Sequence, residues 1–216
     1  MSKYPEIDAV LAGESDGCIV CGDCLEVMAG VKDGCVDAVV TDPPYGLPGG
    51  VAFTTAERAL LIIHWECAAV ILDWRNPLRG PRKVGELVWE YGWVSGYRAK
   101  AKSGVCHTHN TIHLLGKPDS FHFTNGSIIK REPGFSSPRH CSFAAKTGHP
   151  YEKPVALMEF LIERIDAGII LDPFCGSGTT CLAAKKLGRR YVGIEIDPGY
   201  AEIARERVAS TPKPLF

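Results

Sequence analysis

The chain has 216 residues, 45% of them hydrophobic and 23% charged, with a formal net charge of −1 at pH 7. These values are ordinary for a globular protein and give enough chain for one domain with a sizeable core. The N-terminus lacks an apolar signal core, and no apolar run approaches the roughly 18–20 residues of a membrane span, so we expect a cytoplasmic protein with no membrane partner.

The nine cysteines favour reduced thiols, because their number is odd and they are scattered along the chain. Cys18, Cys21 and Cys24 have a spacing that suits zinc or an iron–sulfur cluster, but a fourth ligand at a suitable spacing is missing. Small apolar residues on a short strand and the following turn explain the same pattern. A group of Cys and His over residues 106–113 is explained equally well by alternation along a strand, so we expect no metal.

The first half of the chain alternates strands with helices. Three apolar runs have the length of buried strands: residues 18–22, 36–42 and 68–74. Helical patterns lie between them, over residues 23–31, opened by Asp23 as a cap, and over residues 54–67. Continuous apolar strands that alternate with helices predict an α/β fold, with a mostly parallel sheet covered by helices on both faces.

The middle of the chain departs from this pattern before regular order returns. There we predict a helix over residues 83–93, strands over 94–100 and 109–117, and an irregular segment over 118–140. The later elements are a helix over 153–165, a strand, glycine turn and helix over 168–188, a strand over 189–197 and a final helix over 198–208. We therefore expect a single domain over residues 1–216, with a short insertion over residues 96–148.

Positive charge is concentrated in the same middle region. Residues 75–146 contain twelve Lys or Arg and four Asp or Glu, which gives +8 there and −9 in the rest of the chain. A basic segment in an otherwise acidic protein indicates a polyanion such as DNA, although ordinary solvated surface charge would also produce it. The candidate nucleic-acid contacts are Arg75, Arg79, Arg82, Lys83, Arg98, Lys100, Lys102, Lys130, Arg131 and Arg139.

The segment "IILDPFCGSGTT" has the pattern of a ligand-binding turn. Gly176 and Gly178 let the backbone approach a ligand, and Glu195, about twenty residues on, lies where an acid usually binds ribose hydroxyls. The turn lacks the third glycine of the dinucleotide fingerprint. Asp172 would repel a pyrophosphate but suits a cation, and S-adenosylmethionine is a cation without phosphate. A glycine turn needed only for tight packing is the alternative.

The segment "VDAVVTDPPYG" ends a buried strand with an unusual row of acceptors. Asp42 accepts hydrogen bonds when ionised, and Pro43 and Pro44 offer carbonyls but no N–H. Their complement is a group with two donors, such as an exocyclic NH₂, and Tyr45 adds a ring on which a base could stack. Two acceptors would also stabilise the positive charge that grows on the amine as it receives a methyl group.

Asp42 and Asp172 both follow apolar strands of the predicted parallel sheet. The carboxyl ends of parallel strands line one crevice, where ligands bind. A methyl donor at one loop and an acceptor amine at the other would form a coherent active site.

Four motifs carry a resemblance to a known family: "TDPPYG", "GHPYEKPVALMEFLI", "ILDPFCGSGTT" and "GRRYVGIEIDPGYAEIARERV". In this order they resemble the beta-class, or permuted, S-adenosylmethionine-dependent DNA amino-methyltransferases, over roughly residues 18–75, 85–117 and 149–209. The resemblance implies a Rossmann-like methyltransferase fold with permuted motif order, S-adenosylmethionine as cofactor and DNA as substrate. It also implies a target-recognition region between the motifs, here the short segment 96–148, which would fit a short site, a homodimer or a helper subunit.

The resemblance assigns a role to each motif. Asp42, Pro43, Pro44 and Tyr45 would bind and activate the target amine. An Asp in place of Ser at position 42 favours adenine N6 over cytosine N4. The residues implied to bind the cofactor are Asp23, Lys153, Asp172, Pro173, Phe174, Cys175, Gly176, Ser177, Gly178, Thr179 and Glu195.

We therefore expect a site-specific DNA methyltransferase that methylates adenine N6 by direct in-line attack of a flipped-out base. One alternative is a cytosine-N4 enzyme. Another is a metal- or nucleic-acid-binding module with a vestigial cofactor fold. A dehydrogenase is disfavoured by the spacing of the glycines.

Overall fold

The computed structural model describes residues 3–31, 34–44, 58–60, 65–72, 83–90, 109–123, 128–129, 149 and 152–212. The helices with both ends described are α1 (Pro5–Ala12), α2 (Cys24–Ala29), α3 (Val155–Ile162), α4 (Thr179–Lys186) and α5 (Pro198–Ala209). The strands in these ranges are β1 (Gly17–Cys21), β2 (Ala38–Thr41), β3 (Cys67–Leu72), β4 (Lys83–Glu90), β5 (His109–Gly116), β6 (Ile128–Ile129), β7 (Ile169–Asp172) and β8 (Arg190–Glu195). Residues 118–120 form a 3₁₀ turn.

The strands form one sheet in the order β1-β8-β7-β2-β3-β5-β4-β6. Neighbours from β1 to β3 are parallel, and β5 runs antiparallel to β3 and β4. The chain leaves β7 for β8 on one side and leaves β2 for β3 on the other. The order therefore reverses between β7 and β2, and in α/β sheets ligands bind outside the carboxyl ends of the strands at such a point.

Helices cover both faces of the sheet, which confirms the predicted α/β class. All four residues of β2 are buried, as expected for a strand with no solvent face. Ala38 and Val40 pack in one apolar cluster with residues of α3, α4 and α5. Val39, between them in sequence, packs in the other cluster with residues of α1 and α2. The period of two along β2 thus separates two cores.

The helix predicted over residues 83–93 is wrong, because Lys83–Glu90 forms strand β4. Leu87 and Trp89 are buried, whereas Glu86 and Val88 are half-buried, which is a period of two. Pairing with β5 satisfies the backbone groups on that side of β4, and β6 pairs with Val88 and Trp89 on the other side. In a short apolar segment such as this one, periodicity is a weak guide, and valine and tryptophan suit a pleated surface.

Part of the predicted insertion is a strand of the core. Residues 109–116 form β5 between β3 and β4, with the Ile112 and Leu115 side chains buried. The following residues as far as 123 continue over the edge of α3, where Phe121 bridges to Ile165. Among the described residues of the segment 96–148, residues 109–116 and 128–129 therefore belong to the sheet, and residues 117–123 lie outside its strands.

Helix α1 is not among the predicted elements. Pro5 lies in its first turn, Ile7 and Val10 are buried, and Gly13 ends the helix in the left-handed conformation with φ of 80°. Among the described helices, none is both long and apolar enough to cross a membrane.

Candidate functional site

Four carboxylates lie at the carboxyl ends of four neighbouring parallel strands. In the order of the sheet they are Asp23 after β1, Glu195 at the end of β8, Asp172 at the end of β7, and Asp42 after β2. Three of them were predicted to lie near a cofactor and the fourth near an amine. The topology brings all four to the carboxyl ends of the strands, and Asp172 and Asp42 flank the reversal in strand order.

The glycine turn between β7 and α4 requires its glycines. Gly176 and Gly178 have φ of 52° and 79°, a region that other residues seldom adopt. A Cβ on Gly178 would lie 2.9 Å from the Cβ of Ala204 in α5, and one on Gly176 would lie 3.1 Å from Nε2 of His149. The turn is therefore packed between the last helix and the His149 ring, in addition to lining the crevice.

Glu195 is hydrogen-bonded to this turn. Its Oε2 accepts from the backbone N–H of Gly176 at 2.8 Å, and its Oε1 accepts from the N–H of Asp197 at 2.9 Å. Asp197 in turn caps α5 by accepting from the N–H groups of Gly199 and Tyr200. Ile196, between the two acids, is 68% exposed and offers an apolar surface beside the carboxylate.

Asp172 is a buried acid that joins β7 to β2. It is 3% exposed, and its Oδ1 accepts from the Thr41 hydroxyl at 2.6 Å and from the N–H of Phe174 at 3.0 Å. Burial raises the pKa of Asp172 to about 6, although hydrogen bonds from Thr180 and Thr41 oppose the shift. Thr41 was not predicted as a site residue, and its position directly before Asp42 was the available signal.

Asp42 forms an ion pair with Lys153, and both side chains are largely buried. Pro43 is buried and Pro44 is exposed, so the chain leaves the core at this loop. Tyr45, predicted as the stacking ring, lies outside the described residues. The structure thus joins the proposed amine-binding acid to the proposed cofactor lysine.

The remaining predicted residues of the turn lie between β7 and the start of α4. Pro173, Ser177 and Thr179 are buried and Phe174 is half-buried. The Cys175 thiol lies against the core, where a Cβ on Gly193 would be 3.0 Å from its Sγ. Cys175 therefore presents its backbone, and not its thiol, to the crevice.

His149 is a site residue that the sequence reasoning did not single out, although it begins the quoted motif "HPYEKP". Its ring lies against the Tyr200 ring, edge to face, with centroids 4.5 Å apart. Burial is the main cause that lowers the pKa of His149, which keeps the imidazole neutral at pH 7. A neutral ring thus covers Gly176 beside the acids.

Asp23 caps helix α2, since its Oδ1 accepts from the N–H groups of Leu25 and Glu26. Of the neighbouring cysteines, burial raises the pKa of Cys18 to about 12 and that of Cys24 to about 11, so their thiols stay protonated. Within the described ranges, no group of three or more His, Cys, Asp or Glu side chains could hold a metal ion.

His113 belongs to the second group considered for metal binding. It is buried on β5, and its Nε2 lies 3.5 Å from Oε2 of Glu86 on the paired strand β4. A cross-strand polar contact therefore accounts for His113 without a metal. Cys106 and His107 lie outside the described residues.

Of the ten basic residues predicted to contact nucleic acid, Lys83 lies within the described residues. It is exposed, and its Nζ is 2.6 Å from Oε2 of Glu86. The others lie outside the described ranges: Arg75, Arg79, Arg82, Arg98, Lys100, Lys102, Lys130, Arg131 and Arg139.

The chain is similar in sequence and in structure to known DNA methyltransferases. The sequence model of the N6/N4 methyltransferase family, which is described as DNA methylase, matches residues 74–206. The Type II methyltransferase M2.LlaDCHI of Lactococcus lactis subsp. cremoris is 44% identical over 243 residues, covering 88% of each chain. The solved structure of the M1.HpyAVI–SAM complex aligns with a TM-score of 0.64 at 25% identity, covering 89% of this chain and 98% of that one.

A second solved structure has the same fold. The PvuII DNA methyltransferase, cytosine-N4-specific, aligns with a TM-score of 0.64 at 17% identity, covering 89% of this chain and 86% of that one. At this identity the likeness concerns the fold alone.

Proposed function

The chain belongs to the N6/N4 DNA methylase family, and we propose that it transfers a methyl group from S-adenosylmethionine to N6 of adenine in DNA. That it is a DNA methyltransferase with S-adenosylmethionine as cofactor follows from the family and the related structures. What favours adenine over cytosine is Asp42, since the family resemblance associates Asp in place of Ser at this position with N6. The Thr41–Asp172 hydrogen bond supports a shared site, because it holds the Asp42 loop beside the glycine turn.

The cofactor cradle is proposed at the carboxyl ends of β7 and β8. Glu195 beside Gly176 suits the two ribose hydroxyls, and the exposed Ile196 suits the face of an adenine ring. Asp172, ionised above a pH of about 6, places negative charge near a cationic ligand. The bound cofactor supplies a methyl group on a positively charged sulfur.

The amine would be held by Asp42 and the Pro43 carbonyl, both acceptors. In this proposal the nitrogen lone pair forms the new N–C bond as the S–C bond breaks, and the bonding pair leaves on sulfur. An acceptor that contacts the nitrogen stabilises the positive charge that grows there. The proton that the nitrogen then loses has Asp42 as its nearest carboxylate. Tyr45 would stack on the base.

Lys153 lies between the two halves of this site. Its ion pair with Asp42 holds that acid at the end of β2. Its position in the motif supports a role at the methionine end of the cofactor. A cation there would attract a carboxylate from the cofactor. We therefore infer that Lys153 organises both the amine acceptor and the cofactor.

The DNA contacts are proposed for the basic middle of the chain. A balance of +8 over residues 75–146 suits phosphate binding, which positions the protein without reading sequence. Since residues 109–116 form a core strand, we propose that target recognition lies after Gly116. Reaching N6 in a duplex requires base flipping, and a homodimer would enlarge the small recognition element. The permuted, beta-class arrangement also stays a prediction.

The test is identification of the methylated base. Duplex DNA treated with the full chain and S-adenosylmethionine is digested to nucleosides and analysed by mass spectrometry, with Asp42→Ala as the inactive reference. We expect N6-methyl-2′-deoxyadenosine in the wild-type digest only. N4-methylcytosine in the digest would instead show that the target is cytosine, as it is for the PvuII enzyme that shares this fold. Equal methylation by Asp42→Ala would remove Asp42 from the mechanism.

A further inference from the structure

Arg207, on the last turn of α5, contacts two segments of the site at once. Its Nη1 lies 3.2 Å from the carbonyl oxygen of Ser177, 3.2 Å from the Ser177 hydroxyl and 3.2 Å from the Thr179 hydroxyl. Its Nη2 lies 2.5 Å from Oε1 of Glu152. The Arg207 and Glu152 side chains are 19% and 16% exposed, so the pair is shielded from solvent.

We propose that Arg207 is a positioning residue for S-adenosylmethionine, acting by fixing the glycine turn and holding Glu152 against it. The proposal rests on the proposed function, because it takes the turn as the cofactor cradle. Arg207 itself would not touch the cofactor. Its main effect would be on cofactor affinity, with a small effect on the rate of methyl transfer, because Arg207 reaches Lys153 only through Glu152.

The turn provides buried acceptors that need this donor. Ser177 is 2% exposed and Thr179 is 5% exposed, and a buried polar atom that loses its partner costs free energy. A guanidinium presents several N–H groups in one rigid plane, which a lysine ammonium cannot reproduce. One arginine can therefore donate hydrogen bonds to the buried oxygens of the turn and pair with a carboxylate at the same time.

Helix α5 contacts the turn at two successive points. Ala204 packs against Gly178 with no room for a Cβ, and Arg207 is three residues further along the helix, on the same face. The helix thus forms a platform for the turn, apolar at one position and charged at the next. That arrangement fixes the backbone conformation in which Gly176 bonds to Glu195.

Glu152 extends the contact towards the amine side. It directly precedes Lys153, the partner of Asp42, and its N–H donates to the His149 carbonyl at 3.4 Å. The His149 ring covers Gly176. Holding Glu152 therefore holds the segment that carries both His149 and Lys153 over the turn.

The first test measures S-adenosylmethionine binding by calorimetry on the full chain. Arg207→Lys keeps the positive charge and loses the planar set of N–H donors. We expect its Kd for S-adenosylmethionine to rise about tenfold, with a larger rise for Arg207→Ala. At saturating cofactor, kcat should stay within about threefold of wild type, so the loss appears in KM. Arg207→Lys keeps the proposal testable if Arg207→Ala fails to fold.

The matched control is Arg205→Ala. Arg205 is on the same helix, and it donates to the Ile19 carbonyl and to Glu202 without contacting the turn. We expect its Kd to stay within about twofold of wild type, even where its Tm falls. A Kd rise equal to that of Arg207→Ala would overturn the proposal, since loss of helix anchoring would then explain both.

A double-mutant cycle tests the pair. If Arg207 and Glu152 act together, Glu152→Gln should add little to the Kd of Arg207→Ala. Additive effects would overturn the link to Glu152.

Glu195→Gln separates the two proposals. If Glu195→Gln raises the Kd and both Arg207 variants leave it unchanged, the cradle stands and the role of Arg207 is overturned. If all of these variants bind S-adenosylmethionine as the wild type does, the assignment of the turn as the cofactor site is wrong, and so is the inference about Arg207.

Discussion

The proposed cofactor side and the proposed amine side of the crevice are anchored differently. The turn after β7 is held by Glu195, by Arg207 and by the Ile194 carbonyl, which accepts from the Cys175 N–H. The loop after β2 is anchored through Thr41 to Asp172 and through Asp42 to Lys153, and both partners belong to the cofactor side. The proposed amine acceptor is thus positioned by contacts with the half that is proposed to bind the cofactor.

This difference predicts an asymmetry in mutational effects. Changes to the amine side should lower kcat and leave cofactor affinity intact. Changes to the cofactor side should alter cofactor affinity or stability. Changes at the junction, where the two sides contact each other, should alter both kcat and cofactor affinity. Each of the following variants tests one part of that expectation.

The largest effect is expected for Asp42→Asn, which keeps the shape of the acid and removes its charge. Loss of one electrostatic partner of a developing charge typically lowers kcat by about 10²–10³-fold. Rapid-quench kinetics would measure the rate of methyl transfer, and calorimetry should show a much smaller change in the cofactor Kd, because Asp42 reaches the cofactor side only through Lys153. A Kd that rises as steeply as kcat falls would contradict the asymmetry.

Gly178→Ala should destabilise the fold by about 2–3 kcal/mol, from strain at positive φ and from the 2.9 Å contact with Ala204. Gly34→Ala is the matched control, because Gly34 has φ of 74° and nothing within 4 Å of its added Cβ. Urea denaturation should give about 1 kcal/mol for the control. Equal losses in the two variants would mean that the helix does not constrain the turn.

Asp172→Asn should stabilise the protein at pH 7 by about 2 kcal/mol while weakening cofactor binding. The folded-state pKa of about 6 exceeds the ordinary value of 3.8, so the folded state binds more protons between these values. Wild-type stability should therefore fall as pH rises from about 4 to 6. Melting curves of the two proteins at several pH values between about 4 and 6 measure the contribution of Asp172 to stability. A difference in Tm that does not change with pH would contradict this expectation.

The sheet and the two loops that form the site were visible in the sequence, whereas the contacts that anchor the loops were not. The order of strands and motifs predicted the parallel sheet, and the Asp-Pro pairs predicted two loops at one edge, because local patterns encode strands and turns. Contacts between distant segments have no local signature: Arg207 to Glu152 and Thr41 to Asp172 depend on how helices and strands pack. For the same reason β4 was predicted as a helix, since its partner β5 supplies the pairing that decides its conformation.

The smallest effect is expected at the junction itself, for Thr41→Val, which keeps the shape and removes the hydroxyl donor to Asp172. A hydrogen bond to a charged group is worth about 1.5 kcal/mol, so the pKa of Asp172 should rise by about one unit. Cofactor affinity should then fall at pH 6.5 and change little at pH 8.5, where the acid is ionised in both proteins. Calorimetric titrations at the two pH values test this. In the Asp172→Asn background the same substitution should produce no pH-dependent change, because the titrating group is gone. If Thr41→Val instead lowers affinity equally at both pH values, Thr41 acts on the geometry of the loop, and the amine side is coupled to the cofactor side by position and not by charge.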